Sequence, residues 1–329
     1  MNIDDTKPQI SVIIPLYNKA PYIGRAIDSV ISQTIQDFEL IVVNDGSTDG
    51  GENIVAEYSD SRIFLINQKN SGVSVARNTG VNAAKADIVA FLDADDEWLP
   101  EFLETILSLV MKYPHAGIYA TGSSYSYSYS YTGGKQEIQR VYGINDMHEG
   151  IVPHIFRIAA INRGFPGTAS SSAVSKQVFL EVGGFVVGEK IAEDLDFFAK
   201  VCLHYPYVYY HHSLSLYHID TENKATKNIQ TFKTTSPPFL KTIESYSDTW
   251  LRENTEYEDL MLYIESLRLS EIKRQIVLGN KKGARENLQK IQRTELKLNK
   301  IAWYLATYLP VKLIPLLVRL YMDRKIPHF

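Results

Sequence analysis

Three carboxylates stand at the end of a short apolar run, in the segment IVAFLDADDEW at residues 88–98. A buried strand that carries Asp93, Asp95 and Asp96 at its carboxyl end is suited to a divalent cation, because Mg²⁺ and Mn²⁺ prefer oxygen ligands. Asp93 and Asp95 share one side if the chain stays extended, and Asp96 then points toward solvent or a structural partner. The competing interpretation is a helix N-cap with extra surface charge, since a helix is predicted over 99–112.

The elements that must position these acids alternate between strand and helix over the first hundred residues. This alternation predicts an α/β fold with a mostly parallel central sheet flanked by helices. In such sheets ligands bind beyond the carboxyl ends of the strands. The predicted strands lie at 10–14, 38–43, 63–66 and 88–92. Three helices are predicted between them: one that begins after an N-cap at Asn18, one at 52–58 and one at 72–84. Polar or turn-forming residues stand at the strand ends, namely Pro15, Tyr17, Asn44, Asp45 and Gly46.

Two further segments carry residues that suit a nucleotide. Asp45, in NDGSTDGG, is a charged acceptor for a base N–H such as the imide of uracil, although an Asp-Gly turn explains it equally well. In NSGVSVARNTG, Arg77 offers a fork of donors to phosphate oxygens, whereas the alternative is a solvated arginine on a helix. The fingerprints G-x-G-x-x-G and G-x-x-x-x-G-K-[ST] do not occur, so neither a Rossmann dinucleotide site nor a P-loop is supported.

A second group of acids, in AEDLDFF, stands at a predicted helix start. Glu193, Asp194 and Asp196 are favourable there because of the helix dipole, which gives them a purely structural interpretation. The functional interpretation makes one of them a general base, because the preceding turn GGFVVG is able to place it over a substrate.

The bulk composition limits the possible partners and compartment. The chain has 329 residues, of which 45% are hydrophobic and 22% charged, and its net charge of −4 gives no reason to expect nucleic acid as a partner. A single cysteine, Cys202, permits no internal disulfide and fits a reducing compartment. The polar start MNIDDTKPQ does not look like a secretory signal, and no span of about 20 apolar residues occurs. We therefore expect a cytoplasmic protein.

The character of the sequence changes beyond the predicted catalytic domain at 1–225. Residues 226–329 are predicted to form a helical extension, with a break at 279–283. Its tail at 301–325 is apolar, aromatic and basic, and is interrupted by two prolines. It either packs on the helices or lies in a membrane interface as a peripheral contact.

The segment SSYSYSYSYSYTGGK at 123–135 alternates serine and tyrosine. Strict alternation is typical of a half-exposed strand. Its tyrosines either stack on sugars or simply cover the sheet.

Five blocks, in order, resemble the family 2 glycosyltransferases of the GT-A fold over about residues 8–222. They are VIIPLYNKAPYIGRAIDSVISQT, FELIVVNDGSTD, NSGVSVARNTG, FLDADDEW, and VGGF before AEDLDF. The resemblance implies that Asp93-Ala94-Asp95 is the family's D-x-D motif, with Asp95 and Asp93 binding Mn²⁺ or Mg²⁺, and that Asp194 is the catalytic base. It also implies a set of residues that bind the donor nucleotide: Pro15, Tyr17, Asn18, Asp45, Gly46, Asn70, Arg77, Asp93 and Ala94.

One position departs from the family pattern. A later family motif is often tyrosine-arginine, and here the matching pair is Tyr217-His218. A role for this position in clamping the diphosphate is therefore in doubt. The open alternatives are a histidine that reaches metal or phosphate and a plain loop histidine.

The implied reaction is transfer of a sugar from a nucleotide-diphosphate donor, by preference a UDP-sugar, with inversion. The implied acceptor is a hydroxyl of a glycan or lipid-linked saccharide in surface polysaccharide biosynthesis. A catalytically inactive sugar-nucleotide-binding protein is one alternative, but all three expected carboxylates are present. A sugar-phosphate nucleotidyltransferase is another, but IPLYNKAPYIG lacks the glycine-rich basic loop of that class.

Overall fold

A ten-stranded sheet forms the centre of the protein. The computed structural model describes residues 7–126, 137–138, 148–189, 191–218, 221, 236–291, 303–304 and 307–308. The strands are β1 (Ile10–Leu16), β2 (Phe38–Asp45), β3 (Ile63–Gln68), β4 (Ile88–Phe91), β5 (Glu97–Trp98), β6 (Ile118–Ser126), β7 (Glu137–Ile138), β8 (Glu149–Ile151), β9 (Ser172–Ser175) and β10 (Tyr207–His218). The helices are α1 (Ala20–Ile31), α2 (Gly51–Ala56), α3 (Val73–Ala83), α4 (Phe102–Lys112), α5 (Ile155–Asn162), α6 (Lys176–Glu181), α7 (Glu193–Cys202), α8 (Phe239–Thr242), α9 (Asp248–Asn254), α10 (Tyr257–Val277) and α11 (Lys281–Gln289).

The sheet has a parallel half and a mixed half. Eight of its strands lie in the order β3-β2-β1-β4-β9-β6-β10-β5, and the first four of them pair in parallel. The remaining two pair off this path, β7 with β6 and β8 with β10. β9 then pairs antiparallel with both β4 and β6, while β10 runs parallel to β6. The predicted α/β fold with a central sheet is confirmed, but the sheet is parallel only in the half that carries β1, β2 and β4, and it is mixed beyond β4. The carboxyl ends of β1, β2 and β4 meet at one edge.

Two apolar cores cover the two faces of the sheet. Within β1, Ile13 belongs to one core while Val12 and Ile14 belong to the other, as alternating side chains require. Both faces of the parallel half are therefore buried, which explains why its strands read as continuous apolar runs.

Two predicted helix starts beside the site differ from the structure for an identifiable reason. α1 begins one residue later than a cap at Asn18 would give, because Asn18 adopts a left-handed conformation with φ 49° and its side-chain oxygen accepts from the backbone N–H of Thr48 at 2.8 Å. The helix predicted over 99–112 begins at Phe102, because Glu97–Trp98 form β5 against β10. The acids at 93–96 therefore precede a strand, and the interpretation of them as a helix cap is wrong.

The described part of the C-terminal region is helical and shares the core of the sheet. The ring of Tyr263 on α10 lies 5.8 Å from that of Phe156 and 5.6 Å from that of Phe165. The predicted boundary at 225/226 falls outside the described residues and stays a prediction. Within the part of the chain that the structure describes, no helix combines the length and the apolar character that a membrane span requires.

The first part of the serine-tyrosine segment lies in β6, as its alternation predicted. Ser123 faces β10, where its Oγ lies 2.9 Å from that of Ser215. The ring of Tyr125 meets that of Tyr217 edge to face at 5.9 Å. Residues 127–135 lie outside the described part of the chain.

Candidate active site

The acidic segment forms a tight turn at the end of β4. The backbone N–H of Asp96 donates to the carbonyl of Asp93 at 3.0 Å, so the chain does not stay extended. The expectation that Asp93 and Asp95 share one side of an extended chain is therefore wrong. Each of the three carboxylates instead has its own set of partners.

Asp93 is the most open of the three. Its Oδ1 accepts from Nη2 of Arg77 at 2.7 Å, and 34% of its side chain remains exposed. Its backbone N–H donates to Oγ of Ser170 at 3.1 Å. One oxygen of this carboxylate is thus tied to a cation while the side chain still reaches solvent.

Asp95 is more enclosed and is held from two sides. Its Oδ2 lies 2.8 Å from Nζ of Lys19 and accepts from Oγ1 of Thr221 at 2.6 Å. Its backbone carbonyl accepts from Nη2 of Arg25 at 2.6 Å. Both Asp93 and Asp95 offer oxygen ligands only, which fits Mn²⁺ or Mg²⁺ and does not suit a softer ion.

Asp96 has a structural partner, one of the two orientations expected for it. Only 1% of the residue is exposed. Ser170 Oγ donates to Oδ2 at 2.7 Å, and the backbone N–H of His218 approaches Oδ1 at 3.4 Å. Trp98 Nε1 donates to the Ser170 carbonyl at 2.6 Å. Ser170 belongs to the 3₁₀ turn at Ala169–Ser171, so its contacts join that turn to the acidic turn.

Asp45 is buried under the loop that follows β3. Its Oδ1 accepts from Gln68 Nε2 at 2.7 Å and from the backbone N–H of Ser71 at 2.9 Å, and its Oδ2 accepts from the backbone N–H of Gly72 at 2.8 Å. The carboxylate therefore organises the loop at 68–72. Contact with a base stays a prediction.

The other predicted nucleotide-binding residues line the same edge. Gly46 has φ 72°, and a Cβ there would lie 2.9 Å from the backbone N of Asn70, so the two segments touch. Tyr17 is 49% exposed at the end of β1, close to the half-buried Pro15. The structure thus brings these residues together, while their contact with a donor stays a prediction.

Arg77 is buried, so the interpretation of it as a solvated helix arginine is wrong. Only 3% of it is exposed, and its Nη1 donates to Oε1 of Glu193 at 2.8 Å while its Nη2 holds Asp93. Its guanidinium also lies 5.1 Å from the ring centroid of Phe185. Burial alone would lower the pKa of this guanidinium, but the carboxylates of Asp93 and Glu193 raise it, so the charge is secure.

The three acids of α7 have different surroundings. Glu193 pairs with Arg77. Asp196 is 1% exposed, accepts from Oγ1 of Thr242 at 2.6 Å, and lies 3.3 Å from Nζ of Lys200. These contacts give Glu193 and Asp196 structural roles.

Asp194 is the acid of this group whose surroundings raise its pKa. Its Oδ1 accepts from the backbone N–H of Leu195 at 2.9 Å. Burial, and then the negative charge of Glu193, raise the pKa of Asp194 to about 7. A carboxyl group with that pKa takes up and releases a proton near neutral pH, which is what a general base requires.

His218 lies at the end of β10, so the plain loop interpretation is wrong. Its Nε2 lies 3.1 Å from Oε1 of Glu97, and this hydrogen bond lowers the pKa of Glu97. Its Nδ1 is buried and has no hydrogen-bond partner among the described residues.

Four residues that hold the acidic turn were missed in the sequence, namely Lys19, Arg25, Ser170 and Thr221. Lys19 follows directly on the predicted Asn18, so adjacency to a predicted residue is the available signal for it. Ser170 and Thr221 stand in segments with no motif.

Comparison with known sequences gives a family match and several partial relatives. The model of the family described as "Glycosyl transferase family 2" matches residues 11–182, more than half of the chain. Glycosyltransferase GlyA of Streptococcus pneumoniae serotype 4 is 43% identical over 128 residues, which are 38% of this chain and 18% of that protein. UDP-Glc:alpha-D-GlcNAc-diphosphoundecaprenol beta-1,3-glucosyltransferase WfgD of Escherichia coli is 41% identical over 104 residues, which are 31% of this chain and 41% of that protein. The matched part of the chain thus spans less than half the length of each of these relatives.

Solved structures share the fold over nearly the whole chain. The S. aureus TarS 1-349 complex with UDP-GlcNAc has a TM-score of 0.62 at 17% identity and covers 96% of this chain and 92% of that one. The mannosyltransferase PcManGT from Pyrobaculum calidifontis, in complex with GDP-Man and Mn²⁺, has a TM-score of 0.60 at 18% identity and covers 97% and 88%. The order of the sequence blocks, the acidic turn at the end of β4 and the family match agree, and the chain belongs to glycosyl transferase family 2.

Proposed function

We propose that the protein transfers a sugar from a nucleotide-diphosphate donor to an acceptor hydroxyl with inversion. One observation carries this proposal: Arg77 links Asp93, on the acidic turn, to Glu193, the neighbour of Asp194. A candidate metal site and the segment that carries a candidate base are thereby joined through one buried arginine. UDP is the proposed nucleotide, supported by the complex of TarS with UDP-GlcNAc.

The donor side of the site would be built from the carboxyl ends of three strands. Asp95, helped by Asp93, would hold Mn²⁺ or Mg²⁺, and the Mn²⁺ in the PcManGT complex supports this choice. When bound, the cation would neutralise the leaving diphosphate. Asp45 would contribute by fixing the loop at 68–72, with or without direct contact to the base.

The acceptor side would depend on Asp194. An acceptor hydroxyl must lose its proton as it attacks the anomeric carbon, and the Asp194 carboxylate would accept that proton. Attack from the face opposite the leaving group inverts the anomeric configuration in one step. No carboxylate nucleophile is needed, unlike in retaining hydrolases.

The proposed acceptor is a glycan or lipid-linked saccharide of surface polysaccharide biosynthesis, and WfgD, whose name includes a diphosphoundecaprenol, supports it. A lipid-linked acceptor calls for a protein that reaches the membrane surface. We propose that the tail at 301–325 makes this peripheral contact at the cytoplasmic face. Trp303, 7% exposed, packs on α10 and α11, whereas Tyr304 and Tyr308 are 47% and 58% exposed.

Liposome flotation tests the membrane contact. Lys312 and Arg319 are seven residues apart, a spacing that places two side chains on the same face wherever a segment is helical. Replacing both by glutamate should abolish flotation with anionic vesicles, because their attraction to anionic lipid is lost. Unchanged flotation would contradict the membrane contact.

A panel of labelled sugar nucleotides tests the proposed reaction. We expect release of UDP, by transfer or by slow hydrolysis, from at least one donor in the presence of Mn²⁺. Release of pyrophosphate from a sugar phosphate and a nucleoside triphosphate would instead indicate a nucleotidyltransferase. Binding of the donor with neither product would indicate an inactive sugar-nucleotide-binding protein.

A further inference from the structure

The side-chain amide of Asn78 forms a pair of hydrogen bonds with the backbone of Phe185, 107 residues further along the chain. Its Nδ2 donates to the Phe185 carbonyl at 2.9 Å, and the Phe185 N–H donates to its Oδ1 at 3.0 Å. Both polar atoms of the amide are used. An aspartate at this position would keep the acceptor but lose the donor.

The chain before Phe185 is shaped to receive Asn78. Gly183 and Gly184 both have positive φ, at 80° and 64°. A Cβ on Gly184 would lie 2.9 Å from Oδ1 of Asn78 and 2.8 Å from the Phe179 ring, so a larger residue does not fit without movement. Lys200 of α7 donates to the Gly184 carbonyl at 2.6 Å and holds the same turn from the other side.

The ring of Phe185 connects the two halves of the site. It is 1% exposed and lies 5.1 Å from the guanidinium of Arg77 and 4.6 Å from the ring of Phe197. Phe197 stands three residues after Asp194 on α7. A shift of Phe185 would therefore move both the arginine that holds Glu193 and the helix that carries the candidate base.

Phe185 is also the last firmly buried residue before the acids. Among the described residues between it and α7, none is buried, and Val187 is 63% exposed. The helix is then entered through Ala192, which has φ 62°. The contact with Asn78 is thus the fixed point from which this exposed loop leads to Asp194.

We propose that Asn78 is a positioning residue, which fixes the turn at 183–185 and thereby sets the place of Asp194 relative to Asp93. The role rests on the proposed function, because positioning has meaning only if Asp194 accepts a proton from an acceptor. Asn78 itself touches neither Asp93 nor Asp194 in the contacts of the described residues. It joins the helix that carries Arg77 to the segment that carries the acids.

The test compares Asn78→Ala and Asn78→Asp with Asn287→Ala in the 329-residue protein. Asn287 is the control, because it is similarly half-buried and its Nδ2 also donates to a backbone carbonyl, that of Gly283 at 3.2 Å on α11. Three quantities are measured: kcat, the KM for the donor, and amide hydrogen exchange in peptides covering 184–195.

Both Asn78 variants should lose about 10- to 100-fold in kcat with a nearly unchanged donor KM, because a base displaced by an ångström is inefficient while the donor site is intact. Exchange in peptides covering 184–195 should accelerate, and exchange in α1 should not. The Asn287 control should show neither effect. A donor KM that rises by the same factor as kcat falls would overturn the proposal. Unchanged exchange in peptides covering 184–195 would overturn it as well.

The exchange measurement separates this proposal from the proposed function. If the wild-type protein turns over no sugar nucleotide, the proposed function fails. The exchange comparison then still decides whether Asn78 orders residues 184–195. Faster exchange in the Asn78 variants supports that role, and unchanged exchange contradicts it.

Discussion

The guanidinium of Arg77 holds the carboxylate of Glu193 at 2.8 Å, although 116 residues separate them in the sequence. The same guanidinium holds Asp93 at 2.7 Å on the acidic turn. The helix after β3, the end of β4 and the start of α7 therefore meet at one buried cation. The relative placement of the two halves of the site depends on this residue.

Replacing Arg77 should destabilise the protein strongly. Arg77→Met leaves Asp93 and Glu193 without their shared cation, and loss of one partner of a fully buried ion pair typically costs about 3–5 kcal/mol. Because 34% of the Asp93 side chain is exposed, solvent screens that carboxylate and the cost should lie at the lower end of this range. Arg77→Lys keeps the charge but not the fork, so its cost should be intermediate. Denaturant unfolding measures both. An exposed arginine, Arg252, is the control, and an equal effect of Arg252→Met would contradict a special role for Arg77.

Asp194→Asn should abolish transfer while sparing the donor site. Asparagine keeps the shape but accepts no proton, so turnover should fall by roughly 10²–10⁴-fold. Calorimetric affinity for UDP with Mn²⁺ should stay near the wild-type value.

Asp196→Asn is the control for that substitution, because its contacts with Thr242 and Lys200 predict lost stability rather than a specific loss of turnover. A folded Asp194→Asn protein with near wild-type transfer would reassign the base to a neighbouring acid.

Turnover should rise with pH through about 7, because the Asp194 carboxylate must be deprotonated to act and its pKa is raised to about 7. Glu193→Gln removes a negative neighbour and should shift this rise to lower pH. A rate profile flat across this interval would exclude Asp194 as the titrating base.

The same group makes stability depend on pH. The neutral carboxyl group is favoured in the folded protein, so this contribution is fully present below the ordinary pKa of an aspartate and is lost as pH rises through about 7. Asp194→Asn should therefore raise the Tm above pH 7 and change it less in acid. Thermal unfolding of both proteins across this interval measures the difference, and an unchanged Tm above pH 7 would contradict the raised pKa.

The two neighbouring acids should respond differently to substitution. Asp95→Ala should lose both donor affinity and turnover, because it removes the main expected metal ligand. Asp96→Ala should affect metal affinity less but should cost about 1–3 kcal/mol of stability, because it leaves Ser170 Oγ and the His218 N–H without their acceptor. Equal losses of metal affinity in both variants would contradict this division of roles.

The sequence predicted the parts of the fold that depend on local pattern. The strands at 10–14, 38–43 and 63–66 and the acids at the sheet edge follow from hydrophobic period and strand-end position, and the structure has them. The exact helix starts failed because tertiary contacts override local signals, as when the oxygen of Asn18 accepts from Thr48 instead of capping α1.

The hydrogen-bond and ion-pair partners of the site residues could not be predicted from the sequence. Arg77 looked like any helix arginine, since nothing local shows that Asp93 and Glu193 will surround it. Ser170 lies in a loop without a motif, yet it supports both Asp93 and Asp96. Apart from the pair Arg77–Asp93, which spans 16 positions, these contacts join residues 74 or more positions apart, and one sequence carries no signal for them.

Metal dependence of nucleotide binding tests the central claim most directly. In a calorimetric titration of UDP into the wild-type protein, we expect binding with Mn²⁺ that is lost when a chelator replaces the metal, because Asp93 and Asp95 would otherwise repel the diphosphate. Asp95→Ala should behave like the chelated wild type. Affinity that is the same with Mn²⁺ and with chelator would contradict the assignment of the acidic turn as a metal-dependent donor site.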